Sequence, residues 1–186
     1  MQKNSETVQP RVGNWVVRNV EPLKTFMRTI LGVVWLIDGA LKFQPGFAEA
    51  FPDMVTSAGQ GQPSWLQPWF SFWATSTTGN PAAIVYTIGT LELLLGLALV
   101  LGFLRKLVYI GGMVYSLFIW AVPEGFGGPY GPASTDIGTG IIYGFLFLAL
   151  IIINATYGTS KYSLDALIEQ RFPSWKRLAE FGLAAK

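Results

Sequence analysis

Four apolar runs dominate the sequence, at residues 25–43, 82–104, 107–122 and 137–157. Each is near the length a helix needs to cross a bilayer, about 20 residues. The runs are continuous, not alternating, which favours helices over barrel strands. Pro81 opens the second run, Arg105 and Lys106 separate it from the third, and Pro123 ends the third. Only 13% of the residues are charged and 51% are hydrophobic. Soluble domains carry about 25% charged residues, so much of this surface need not face water. The first run follows a polar stretch with Lys3, Arg11, Arg18 and Lys24 and has no clear small-residue cleavage site, so it reads as a retained helix. The expected fold is an all-α membrane protein. A four-helix transmembrane bundle (residues 25–160) lies between an N-terminal tail (1–24) and an interfacial C-terminal tail (161–186).

Basic residues orient the bundle. The N-terminal tail, the 105–106 connection and the C-terminal tail with Lys161, Arg171, Lys176, Arg177 and Lys186 all fall on one side of a four-span arrangement. The connections 44–81 and 123–136 have no Lys or Arg, only Glu49, Asp53, Glu124 and Asp136. Both termini are therefore expected in the cytoplasm.

The 44–81 connection and the C-terminal tail carry helical signals of their own. Trp65, Trp69 and Trp73 recur every four residues, and Phe47, Phe51, Met54 and Val55 form a second stripe. Both predict short amphipathic helices on the outer leaflet, as an aromatic belt or as a lid over a lateral opening. In the C-terminal tail, Leu164, Leu167, Ile168 and Phe172 share one face, Ser163 is placed to cap the helix, and Asp165 sits in its first turn. This predicts an interfacial helix on the inner leaflet.

The chain has no cysteine and no histidine. Disulfides, thiolate chemistry, iron–sulfur ligation and His-ligated haem, zinc or copper are excluded. The net charge of +2 and the lack of a basic patch with aromatics argue against nucleic acid.

Charged groups at membrane depth are costly and mark candidate sites. On the first run, Asp38 and Lys42 lie about 40° apart and Arg28 within about 80° of both, on the face that holds Trp35. Asp38 and Lys42 form an i,i+4 pair, and Arg28 is expected to snorkel to the inner interface. Glu92 sits mid-run between Gly89 and Gly96, which predicts a tight contact with another helix. Glu124 and Asp136 bracket a glycine- and proline-rich turn. The expected site is one polar cluster in the outer half: Asp38, Lys42, Glu124 and Asp136, with Glu92 deeper. Trp35, Tyr86, Tyr115, Trp120, Tyr130 and Tyr143 are candidate lining aromatics. Buried ion pairs also set helix register without chemistry.

Three stretches carry a family resemblance: Arg28 followed by LGVVWLIDGALKF, ELLLGLALVLGFLRK from Glu92, and GTSKYSLDALI after the last run. Their order and spacing resemble the DoxX/DoxD family of small four-span membrane proteins. The long outer segment and the PEGFGGPYGPASTDIG turn are similar to the DoxD type found in thiosulfate:quinone oxidoreductase. The resemblance implies a multi-pass protein of the prokaryotic cell (inner) membrane with membrane or periplasmic partner subunits. It also implies electron transfer from a sulfur compound to a quinone. Asp38, Lys42 and Glu92 would then act catalytically, and Trp35, Glu124, Tyr130 and Asp136 would bind substrate. Two other readings stand beside it. One is a non-catalytic subunit that anchors a larger membrane complex. The other is a small transporter or proton path through Glu92, weakened by the lack of an inverted repeat.

Overall fold

The computed structural model describes residues 11–131, 134, 136–158 and 160–182. Lys3, Lys186 and Pro132 lie outside the described residues, as does the side chain of Arg11. The described elements are helical: α1 (Arg11–Leu41), α2 (Phe47–Ala58), α3 (Gln67–Thr78), α4 (Pro81–Leu101), α5 (Arg105–Ala121), α6 (Thr139–Tyr157), α7 (Leu164–Arg171) and α8 (Lys176–Ala179).

Their boundaries follow local chemistry. α4 begins with Pro81 in its first turn and Asn80 as cap, whose side chain accepts the Ala83 N–H. It ends at Gly102, whose left-handed conformation (φ 67°) lets its N–H return to the last turn. α1 starts at Arg11 and runs for 31 residues, about 46 Å, through the segment read as a tail.

Two helices, α4 and α6, are long and apolar enough to cross a membrane by length and composition. α1 carries Glu21, Lys24, Arg28 and Asp38 along its length. α5 has 17 residues, about 25 Å, and opens on Arg105 and Lys106. Yet both turn apolar stripes outward. Phe26, Ile30, Val33, Ile37 and Leu41 of α1 are 40–63% exposed, and Leu107, Ile110, Val114 and Leu117 of α5 are 37–59% exposed. Their opposite faces bury Arg28, Trp35 and Arg105. A helix in water shows the reverse pattern.

α1 packs along α4 and α5 along α6. The first pair meets through glycines. A Cβ on Gly96 would lie 2.8 Å from Gly32 O, and one on Gly39 would lie 2.9 Å from Gly89 O. These backbones touch directly, as the small residues flanking Glu92 predict. α5 and α6 meet where Gly140 faces the Ser116 carbonyl and Gly112 faces the Phe147 ring. α2 and α3 cover the upper end, and the C-terminal segment covers the lower end. One apolar cluster sits low, around Trp35, Leu99 and Phe147. A second sits under α2, around Phe51, Val55 and Val85.

The lower end corrects one expectation. Arg28 does not snorkel. It is 2% exposed, and its Nη2 donates to Tyr162 O at 2.8 Å under the returning C-terminal segment. The C-terminal helix turns Leu167 and Phe172 outward, about 60% exposed, and is tied to the bundle by a polar contact. Its anchor is Asp165, which is fully buried. Asp165 Oδ1 accepts from Leu104 N and Trp175 Nε1, both at 2.8 Å. Oδ2 accepts from Arg105 N at 3.0 Å and Arg105 Nε at 2.9 Å. The carboxylate thus caps α5 and holds Leu104 in a left-handed conformation (φ 50°) that a leucine otherwise avoids. Ser163 caps α7 as its position predicts, accepting the Ala166 N–H.

Candidate functional site

Under α2 and α3, the upper end of the bundle encloses a cavity of about 610 Å³. Four of its lining side chains are charged: Asp38 and Lys42 from the end of α1, Glu92 from the middle of α4, and Glu124 from the α5–α6 turn. Tyr115 and Tyr143 face it from α5 and α6, while Phe47, Phe51 and Trp73 close it from α2 and α3. Its volume and mixed lining fall in the range of small-molecule sites.

The central contact crosses the α1–α4 seam. Lys42 Nζ lies 3.3 Å from Glu92 Oε2, with side chains 17% and 1% exposed. Tyr115 OH donates to Glu92 Oε1 at 3.0 Å. This replaces the expected Asp38–Lys42 pair: Lys42 reaches only the backbone oxygen of Asp38, at 3.4 Å. The reason is desolvation. A carboxylate buried to 1% needs an opposite charge far more than the half-buried Asp38 at the cavity rim. The Lys42 ammonium also lies 5.3 Å from the centre of the Phe47 ring, which ties α2 to the charged pair.

The other anticipated residues divide. Glu124 lines the cavity, but its Oε2 accepts the Gly140 N–H at 2.8 Å, so it also caps α6. Asp136 and Tyr130 lie in a separate, open hollow of about 580 Å³ that, among the described residues, shares only Glu124 and Thr139 with the first. Asp136 Oδ1 accepts the Gly138 N–H, and Tyr130 OH donates to Phe126 O, each at 2.7 Å. Both side chains serve the glycine-rich turn and do not join Asp38 and Lys42. Trp35 is fully buried beneath the cavity, with its ring 5.6 Å from Tyr115 and 5.5 Å from Tyr143, and does not line it. Trp120 donates Nε1 to Ile137 O, and Tyr86 stacks on Phe43 at the surface.

The tryptophan stripe splits as well. Trp65 is 75% exposed, Trp69 is anchored to Ala121 O at 3.0 Å, and Trp73 packs edge-on against Phe118 in the cavity wall. Among the described residues, the buried Trp73 Nε1 finds no hydrogen-bond acceptor. Its period-four spacing placed it on the helix; only the fold distinguishes its inward face from the belt.

Helical elements throughout the described residues, outward apolar stripes and a charged pair buried between glycine-packed helices define a helical membrane protein. Residues 23–124, more than half of the chain, match the family DoxX, and the protein belongs to that family of membrane proteins. The match covers Asp38, Lys42, Glu92 and Tyr115 and ends at Glu124. No curated protein and no solved structure matches the chain.

Proposed function

We propose that this protein is the quinone-binding membrane subunit of a DoxD-like, quinone-linked redox complex, and that the upper cavity is its site. The observation that carries this reading is the Lys42–Glu92–Tyr115 contact at the floor of a covered, largely apolar cavity. A quinone ring needs an apolar slot, hydrogen-bond donors at its carbonyls, and two protons on reduction. Lys42 has ammonium N–H groups to spare as donors, while Tyr115 spends its single O–H on Glu92 and holds that carboxylate in place. Glu92 and Asp38 are carboxyls placed to pass protons to the reduced ring. The outward apolar stripes on α1 and α5 favour four crossings, α1, α4, α5 and α6, despite the charges on α1 and the shortness of α5. The basic residues at the lower end then favour both termini in the cytoplasm and the cavity toward the outer face.

Thiosulfate fits this cavity poorly. Three carboxylates line it against one ammonium already paired with Glu92. Two thiosulfate ions that join to tetrathionate release two electrons, which the quinone takes up with two protons. The dianion's own site therefore belongs to a partner subunit, which also passes on the electrons. Thiosulfate-dependent quinone reduction in membranes that hold the whole complex tests the reading. Loss of turnover in Lys42→Ala and Glu92→Gln, with the complex still assembled, supports it. Unchanged rates contradict it.

A second reading, a non-catalytic anchoring subunit, draws on the glycine seam. Gly32, Gly39, Gly89 and Gly96 flank the charged pair, so the pair would serve to set the register of α1 against α4. Complex that falls apart in both variants favours this reading.

A further inference from the structure

α4 and α5 follow each other in the chain, yet each packs mainly on a different neighbour, α1 and α6. Between them they leave an open groove of about 680 Å³. Leu94, Leu101 and Gly111 line it, Leu104 and Leu164 close its lower end, and Tyr115 stands at its upper end. Among the described residues lining it, Tyr115 alone has a polar side-chain atom. Tyr115 also lines the upper cavity, where it donates to Glu92. One side chain therefore forms the wall between an apolar groove open to the bilayer and the charged cavity.

The groove is built to be open. A Cβ on Gly111 would meet nothing within 4 Å, whereas one on the next residue, Gly112, would run into the Phe147 ring. Gly112 is a packing glycine, while Gly111 leaves the groove floor bare. From Leu91 to Leu101 the groove extends about 15 Å along α4.

The position of its polar end selects the occupant. A phospholipid of the lower leaflet carries its head group at the lower membrane surface. Here the lower end is apolar, and the polar end lies about 15 Å above Arg105, midway through α4 and α5. That arrangement suits a lipid with a small head at mid-membrane depth and a long apolar chain. We infer that the α4–α5 groove holds the apolar chain of a quinone whose ring lies in the upper cavity, the chain passing beside Tyr115. The inference rests on the function proposed above and adds the path by which the substrate leaves the bilayer.

Two photoreactive quinones separate the two ideas. One carries its label on the ring and the other halfway along a ten-carbon chain, and both are used on the protein in phospholipid nanodiscs. Adducts competed by unlabelled quinone are mapped by mass spectrometry. The inference predicts ring adducts in the upper cavity and chain adducts on residues of the upper groove such as Leu94 and Leu95, within about 6 Å of its polar end. Gly111→Leu fills the groove without touching the core and should abolish the chain adducts there while ring adducts remain. Ring adducts in the cavity with chain adducts on α2 and α3, or groove adducts that survive Gly111→Leu, overturn the inference alone. The absence of competed ring adducts in the cavity overturns both.

Discussion

Lys42 neutralises Glu92 on the neighbouring helix, 3.3 Å away, and not Asp38, four residues back on its own. The pair therefore fastens α1 to α4 at the depth where Tyr115 adds a hydrogen bond from α5. Three helices converge on one carboxylate.

Removing one partner should cost more than removing both. Lys42→Ala leaves a carboxylate that is 1% exposed without its ammonium, a loss of about 3–5 kcal/mol for a buried pair. Lys42→Ala/Glu92→Gln should recover most of that loss, because the remaining amide still accepts from Tyr115. Unfolding of the purified single and double variants in mild detergent checks the sign of this coupling.

The seam predicts a contrast between glycines. Gly96→Ala forces a methyl to 2.8 Å from two backbone atoms, Gly32 O and Leu36 N, and should destabilise the protein by about 1–3 kcal/mol. Gly111→Ala meets open space and should be neutral or gain up to about 1 kcal/mol in helix propensity. Thermal midpoints measured side by side decide it.

Much of this architecture is legible in the sequence. The glycines three residues before Glu92 and four after it announce a close helix crossing, because period-3.6 geometry alone puts them on one face. The helix ends are written in Pro81, Asn80 and Gly102. The partner of Lys42 is not legible. An i,i+4 contact and a cross-helix contact are both open to a lysine, and the burial of Glu92 that decides between them exists only after packing. Arg28 and Asp165 are hidden for a similar reason. Their partners, Tyr162 and the Leu104–Arg105 backbone, are 60 or more residues distant in the chain. The aromatic spacing marks α3 as a helix but does not tell Trp73, in the cavity wall, from Trp65 at the surface.

Asp165 should be the anchor of the C-terminal segment. Asp165→Ala removes a carboxylate that accepts four hydrogen bonds and leaves Arg105, 1% exposed, with one acid fewer. A loss of about 3–5 kcal/mol follows for a broken buried pair. Faster tryptic cleavage at Arg171 and Lys176 than in the wild type would report the released segment.

The same segment should respond to pH through Glu169. Burial, followed by the neighbouring Glu180, raises its carboxyl to about 7, against the opposing pull of Arg105. A folded-state value above the unfolded one means that the native state holds the extra proton. Stability is then greatest below the unfolded carboxyl range and is lost as pH rises through about 7. The thermal midpoint should fall between about pH 5.5 and 8 in the wild type and fall less in Glu169→Gln. Equal slopes in the two proteins would remove Glu169 from the account.

The central claim is that the cavity over Lys42, Glu92 and Tyr115 receives a quinone ring. Equilibrium binding of a short-chain quinone to the purified protein in nanodiscs tests it most directly, with Lys42→Ala and Tyr115→Phe beside the wild type. Binding should be saturable and one-to-one, weaken by about tenfold in Lys42→Ala, in line with about 1.5 kcal/mol for a hydrogen bond from a charged donor, and weaken less in Tyr115→Phe, whose hydroxyl is bonded to Glu92. Binding that never saturates, or that is the same in all three proteins, would contradict it.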